Sequence, residues 1–542
     1  MSLRNRLVVP IILSAIAVLV GCGSGNSFTR PVPPPSGSFS NSNLNGTYVF
    51  SVSGTDAAGA PYAIVGSFTA NGSGGNGLGG ITGGTLDLND PGVPTLVSNA
   101  TINSGSNYKI NVDGRGQASL VTSTAFGTIT LDFVLQDSSH GLVNEFDGNG
   151  TGSGTLDVQT AGTSPVGSYA FIFFGTDVSS GFADPFATVG NFAVGAGGTI
   201  SGVEDFNDNS FAYTSQGLSG QVILGPATTP LTTLTTTQFG TQTYDVYAID
   251  ASHLKFIEMD ASATLSGDAY SQTTTTVPTG ALAFTVAGAF PSTTAPSVVG
   301  GFMVTDGAGN ITAASTEDAN IGGTVSQSPV SFTAQYTAAG TGRFTLGNFA
   351  GFTAGSLYAA YPSSGGLLLL EIDNGGVMSG AAYPPQTSTS FNGSAGYGLN
   401  FSGVNLVASV EVDDIAEFAS SSSGSTVTGI VDENSAPGGF PNYNLPLSGT
   451  YTAPDSNGRG QIAANAGNSS NSTINGGFGI TFYTVDGITF PFVETDPNGQ
   501  VATGVFFMQD ASASASSAAK ARSHMFAVRP SVRPSTARWR KK

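Results

Sequence analysis

The chain has 542 residues, of which only 9% are charged, and a formal charge of −19. Between residues 23 and 510 six cations (Arg30, Lys109, Arg115, Lys255, Arg343, Arg459) face all 35 acids, so this body repels nucleic acid and anionic lipid, and nucleic-acid binding is excluded for it. One cysteine and three histidines (His140, His253, His524), with no HExxH, no His/Cys cluster, no nucleophile elbow and no phosphate loop opening a helix, exclude an internal disulfide and disfavour zinc, Ser-His-Asp and nucleotide chemistry; no cofactor and no metal is expected.

Residues 1–21 carry Arg4 and Arg6 and then an apolar run from Leu7 to Val20, the pattern of a signal peptide and too short for a comfortable membrane span. The junction Leu19-Val20-Gly21-Cys22 resembles a bacterial lipobox. That resemblance implies cleavage before Cys22, acylation of Cys22 and a membrane partner through the lipid; Gly23 rather than Asp after it implies, by resemblance to Gram-negative lipoproteins, the outer membrane or cell surface. Residues 22–44 are rich in Gly, Ser, Pro and Asn and read as a flexible tether.

Four β units follow, at 45–160, 161–275, 276–388 and 389–510. One phrase defines them. Glu145-x-Asp147 is followed by Gly154 and Gln159, and the order returns as Glu258-x-Asp260, Gly267, Gln272, as Glu371-x-Asp373, Gly380, Gln386, and as Glu494-x-Asp496, Gly504, Gln509. Units of some 113 residues are domain-sized rather than solenoid repeats. Each opens on an aromatic strand ending in Gly (46–54, 167–175, 280–288, and the degenerate 395–403). Asp-x-Asn comes next (Asp87/Asn89, Asp205/Asn207, Asp318/Asn320, Asp432/Asn434), then a Gly-Arg turn at Arg115, Arg343 and Arg459. The second unit lacks the Arg.

Period-2 alternation bounded by Gly, Asn and Asp divides unit one into runs at 47–54, 61–71, 77–88, 97–103, 107–112, 116–123, 126–136 and 140–158, the last bent or double. Short Gly-rich connections predict antiparallel hairpins and an all-β chain of four small domains. Each is read as an eight-stranded up-and-down barrel, with a β-sandwich as the alternative. The layout is similar to avidin-like and lipocalin-like barrels, without a ligand-binding motif of either family. Residues 511–542 form a basic tail with eight cations and Trp539, read as disordered.

In Glu-x-Asp the two carboxylates share one strand face, and the Glu has apolar same-face neighbours such as Leu254 and Phe256. A buried Glu needs a partner. The expected partners are Arg115 for Glu145, Arg343 for Glu371 and Arg459 for Glu494, with Lys255 as the substitute for Glu258, all structural rather than catalytic. A glycosidase using these carboxylates is the competing reading. The loops 147–150, 306–310 and 455–460 look like calcium loops but lack the full ligand set, so turn chemistry is expected. The functional expectation is a non-enzymatic, lipid-anchored envelope protein with a binding or structural role. Its candidate partners are an extracellular glycan, a peptide or a small apolar ligand, with a pure spacer or adhesin stalk as a third reading.

Overall fold

The structure is a computed structural model that describes residues 39–512, apart from 74–76, 93–95, 161, 163, 180–182, 224–230, 291–294, 327, 350–355, 440, 468–476 and 498. The signal segment, Cys22, most of the tether and the basic tail lie outside the described residues. The described chain is antiparallel β-structure throughout, with one three-residue 3-10 turn at Asn41–Asn43.

Four closed eight-stranded barrels follow one another along the chain, and the sandwich alternative does not hold. Closure comes from the opening strand, which pairs both with the second strand and with the last. In barrel 1 Asn45–Asp56 lies between Pro61–Asn71 and Gly150–Val158. Gly167–Asp177 does the same with Ala263–Ser271, Gly280–Phe290 with Val377–Ala382, and Gly396–Asn405 with Gln500–Met508. The strands of barrel 1 lie within a few residues of the predicted runs. Residues 140–158 resolve into His140–Phe146 and Gly150–Val158, and Val97–Ile102 and Asn107–Ile110 share one position in the wall.

The recurring glycines have a steric cause. Gly154, Gly267, Gly380 and Gly504 face Val52, Phe173, Val286 and Phe401 of the opening strands in one common register. A Cβ at Gly154 would stand 1.6 Å from the Ser51 carbonyl oxygen, and at Gly380 2.1 Å from that of Thr285. Opening and closing strands therefore approach more closely than any side chain allows.

Every barrel interior is packed. Barrel 4 stacks Phe490 on Phe506 at 4.8 Å between centroids and sets Phe482 across them, while barrel 2 packs Phe171, Phe173, Phe192 and Phe256 together. Smaller apolar clusters join barrel to barrel: Val49 and Val65 with Tyr247 and Ile257, and Val134 and Leu142 with Ile415 and Phe507.

Candidate functional site

The Arg, Asp-x-Asn and Gln positions singled out in the sequence meet at the seams between barrels. Asp205 of barrel 2 accepts a two-pronged contact from Arg343 of barrel 3, Nε to Oδ2 at 2.7 Å and Nη2 to Oδ1 at 2.6 Å, and also the Tyr361 hydroxyl. Asp318 of barrel 3 accepts Arg459 Nε at 2.9 Å, Arg459 Nη2 at 2.7 Å and the Tyr483 hydroxyl at 2.8 Å from barrel 4. Asp432 of barrel 4 accepts Arg115 Nη1 of barrel 1. At the seam between barrels 1 and 2, Asp87 accepts the Tyr247 hydroxyl at 2.6 Å. There Ser98 donates to Asp245 at 3.1 Å, and burial together with the charge of Asp87 pushes the Asp245 carboxyl up to about 6.

The Asn of Asp-x-Asn and the Gln at the end of the phrase cross the same seams in the same direction. Asn207 Nδ2 donates to the Glu371 and Gly376 carbonyls at 2.9 and 2.8 Å, and Asn434 Nδ2 to those of Glu145 and Gly150 at 3.0 and 2.7 Å. Asn89 reaches the Glu258 and Ala263 carbonyls, and Asn320 that of Gln500. Gln159 donates to Ala248, Gln272 to Pro362, Gln386 to Thr484 and Gln509 to Leu135, at 2.7 to 3.0 Å. Barrel 1 thus grips barrel 2, 2 grips 3, 3 grips 4, and 4 grips 1. A head-to-tail contact repeated until it returns to its start forms a closed ring.

The expected pairs Arg115–Glu145, Arg343–Glu371 and Arg459–Glu494 are therefore incorrect. Cross-strand neighbours show why. Arg115 stands opposite Val134, on the outer face that packs against barrel 4, whereas Glu145 stands opposite Leu131 in the barrel interior. Arg459 likewise opposes Tyr483 at the seam, and Glu494 opposes Ile480 in the interior. Lys255 does not serve Glu258 either. It is wholly buried and pairs with Asp268 at 2.9 Å, facing Asp157 of barrel 1 at 3.9 Å. His253 and His140 bond the same two carboxylates, each at 2.7 Å. Burial works to raise the Asp268 carboxyl, but Lys255 and His253 outweigh it and hold it below the usual aspartate range.

The four phrase glutamates are at most 3% exposed. Burial, then the charge of the neighbouring Asp373, lifts Glu371 to about 8. The same two causes push Glu145, Glu258 and Glu494 well above the ordinary glutamate range, with Asp147, Asp260 and Asp496 as the charged neighbours. A carboxyl shifted this way holds its proton more readily, and a neutral acid needs no cation.

The phrase aspartates build turns. Asp147 accepts the amides of Thr130 and Asn149, Asp260 those of Thr243 and Ser262, and Asp373 those of Leu357 and Gly375, while Asp496 lies against Gly479. Asp306 and Asp455 of the calcium-like loops also accept their own loop amides. Among the described residues no group of three or more His, Cys, Asp or Glu is arranged to hold a metal.

Sequence reading missed a cavity of about 90 Å³ where all four barrels converge. Ser53 and Thr55 of barrel 1, Phe174 and Thr264 of barrel 2, Ser379 of barrel 3 and Glu411 of barrel 4 line it. A second space of about 40 Å³ shares Ser53 and Phe174 with the first and adds Asn400, Ser402 and Thr503. Outward-facing Ser and Thr on opening and closing strands were the available signal, unreadable without the ring.

No protein-family profile matches this chain, and no curated protein sequence does. Among solved structures it is similar to a putative AttH from Nitrosomonas europaea, at 11% identity over 42% of this chain and 92% of that one with a TM-score of 0.16. It is similar to isotype 1 transferrin binding protein B of serogroup B Neisseria meningitidis, at 10% identity over 68% of this chain and 84% of that one with a TM-score of 0.18. The intact two-lobed Ap-TbpB gives 10% identity, coverage of 70% and 86%, and a TM-score of 0.18. Likenesses at these scores carry no argument about function.

Proposed function

We propose that the chain is a lipid-anchored protein of the cell envelope with a binding or structural role, displayed through acylated Cys22 and the tether at 22–44 as a rigid ring of four barrels. One observation carries the non-catalytic part of this reading. The repeated Arg, Asp-x-Asn and Gln side chains are used up in holding barrel to barrel, as Arg343 and Arg459 do on Asp205 and Asp318. The repeated glutamates stand buried in the barrel interiors, Glu371 beside Tyr358 and Glu494 beside Ile480. A glycosidase needs two carboxyl groups flanking a bound sugar. The anchoring part rests on the lipobox-like junction at Cys22.

Cell fractionation combined with a reducing-end assay on envelope glycans tests both parts. The wild type should partition with membrane lipid, Cys22→Ser should be released or remain uncleaved, and neither should liberate reducing ends. Wild-type protein that is soluble, or glycan cleavage that disappears in Glu371→Gln, would overturn the reading.

A further inference from the structure

We infer that the cavity at the convergence of the four barrels is a binding site for a small organic ammonium ion. Four observations converge on this class of ligand. First, the cavity has the right size. A water needs roughly 10–15 Å³ of such space, so about 90 Å³ accommodates several waters or a small organic ligand.

Second, its polar lining supplies oxygen and no cation. Glu411 brings a carboxylate, which Thr55 Oγ1 already orients by donating to Oε2 from the neighbouring barrel, and Ser53, Thr264 and Ser379 bring hydroxyls. Third, Thr264 is 3% exposed and its hydroxyl has no hydrogen-bond partner among the described residues, and the Ser402 hydroxyl in the adjoining space is in the same condition at 4% exposure. Buried hydroxyls left without partners are costly, and a ligand with several N–H donors would satisfy them.

Fourth, Phe174 lines both spaces from the outer face of barrel 2, while its neighbour Phe173 fills the interior. An aromatic ring in a site lined by acceptors suits an ammonium with a short alkyl group, whose charge the ring and the carboxylate share. The strongly acidic body adds a field of the same sense. A neutral alcohol of the same shape would gain neither contribution. The assignment does not depend on acylation at Cys22, so its failure would leave the envelope reading intact.

Isothermal titration of the detergent-solubilised full chain with ethylammonium chloride tests it, with sodium chloride and ethanol as controls and ionic strength held constant. Ethylammonium should bind saturably at one site per chain, and neither control should. Glu411→Gln, which keeps an acceptor for Thr55, should weaken binding about tenfold or more, since a hydrogen bond to a charged group is worth about 1.5–3 kcal/mol. Phe174→Leu removes the ring, leaves every seam contact named above in place, and should weaken binding as well. No saturable heat, equal binding of ethanol, or affinity unchanged in both variants would overturn the proposal and leave a water-filled cavity.

Discussion

Arg343 and Asp205 lie 138 residues apart and belong to different barrels, yet they form a two-pronged, buried ion pair, at 5% and 0% exposure. Arg459 and Asp318, 141 residues apart, repeat it one barrel further on. The separation exceeds one repeat because the phrase encodes the contact between units. An intramolecular chain has here adopted the head-to-tail logic of a cyclic oligomer.

The first prediction concerns that pair. Arg343→Ala strands a buried carboxylate and should destabilise barrels 2 and 3 by about 3–5 kcal/mol. In a double-mutant cycle with Asp205→Asn, read by urea unfolding, the losses should be strongly non-additive, whereas Arg343→Ala and Glu371→Gln should add. Coupling of Arg343 to Glu371 instead of Asp205 would restore the pairing within one barrel.

A second prediction follows from the buried glutamates. The folded-state pKa of Glu371, about 8, lies above its unfolded value, so the folded chain holds the proton over a pH range in which the unfolded chain releases it. The stability contributed by the neutral acid is fully present below the unfolded pKa and is lost as pH rises through the folded one. Glu145, Glu258 and Glu494 act in the same direction. The melting temperature should therefore fall from mildly acidic to mildly alkaline pH, and Glu371→Gln should flatten part of that slope. A melting temperature that rises over this interval would show that the glutamates are ionised and paired.

Glycine supplies a third. Gly380→Ala places a methyl group against the Thr285 carbonyl oxygen, whereas Gly217→Ala meets nothing within 4 Å. The first should unfold barrel 3 or lower its melting temperature severely, and the second should change it by less than about 0.5 kcal/mol equivalent. Comparable thermal melts for the two variants would remove the close-approach explanation of the repeated Gly.

Much of the architecture was legible before the structure. Alternation placed the strands of barrel 1 within a few residues, because one face of each strand is packed and the other is not, as in Arg115–Val121, where Gly116, Ala118 and Leu120 alternate with the less buried Gln117 and Ser119. The same alternation puts Arg115 on the face opposite Ala118 and Leu120, and Arg459 opposite Ile462 and Ala464, which already separates these cations from the inward glutamates. Pairing Arg with Glu failed because a repeat of fixed phase is silent on whether two of its positions meet within a unit or between successive units. Asp-x-Asn carried the missing information: Asp205 and Asn207 recur with the phrase, and their partners belong to the next barrel. The axial cavity was not legible, since it exists only once the fourth barrel returns to the first.

That return rests on no consecutive chain: barrels 4 and 1 are joined through side chains, among them Arg115, Asp432, Asn434 and Gln509 and the apolar cluster of Val134, Leu142, Ile415 and Phe507. Native-state hydrogen exchange on Arg115→Ala measures it most directly. The Asn444 amide, which donates to Asp432 in barrel 4, and the 145–150 hairpin of barrel 1, whose Glu145 and Gly150 carbonyls Asn434 holds, should both exchange faster although they lie about 300 residues apart in the chain. Faster exchange confined to barrel 1, with Asn444 protected as in the wild type, would contradict the closed ring.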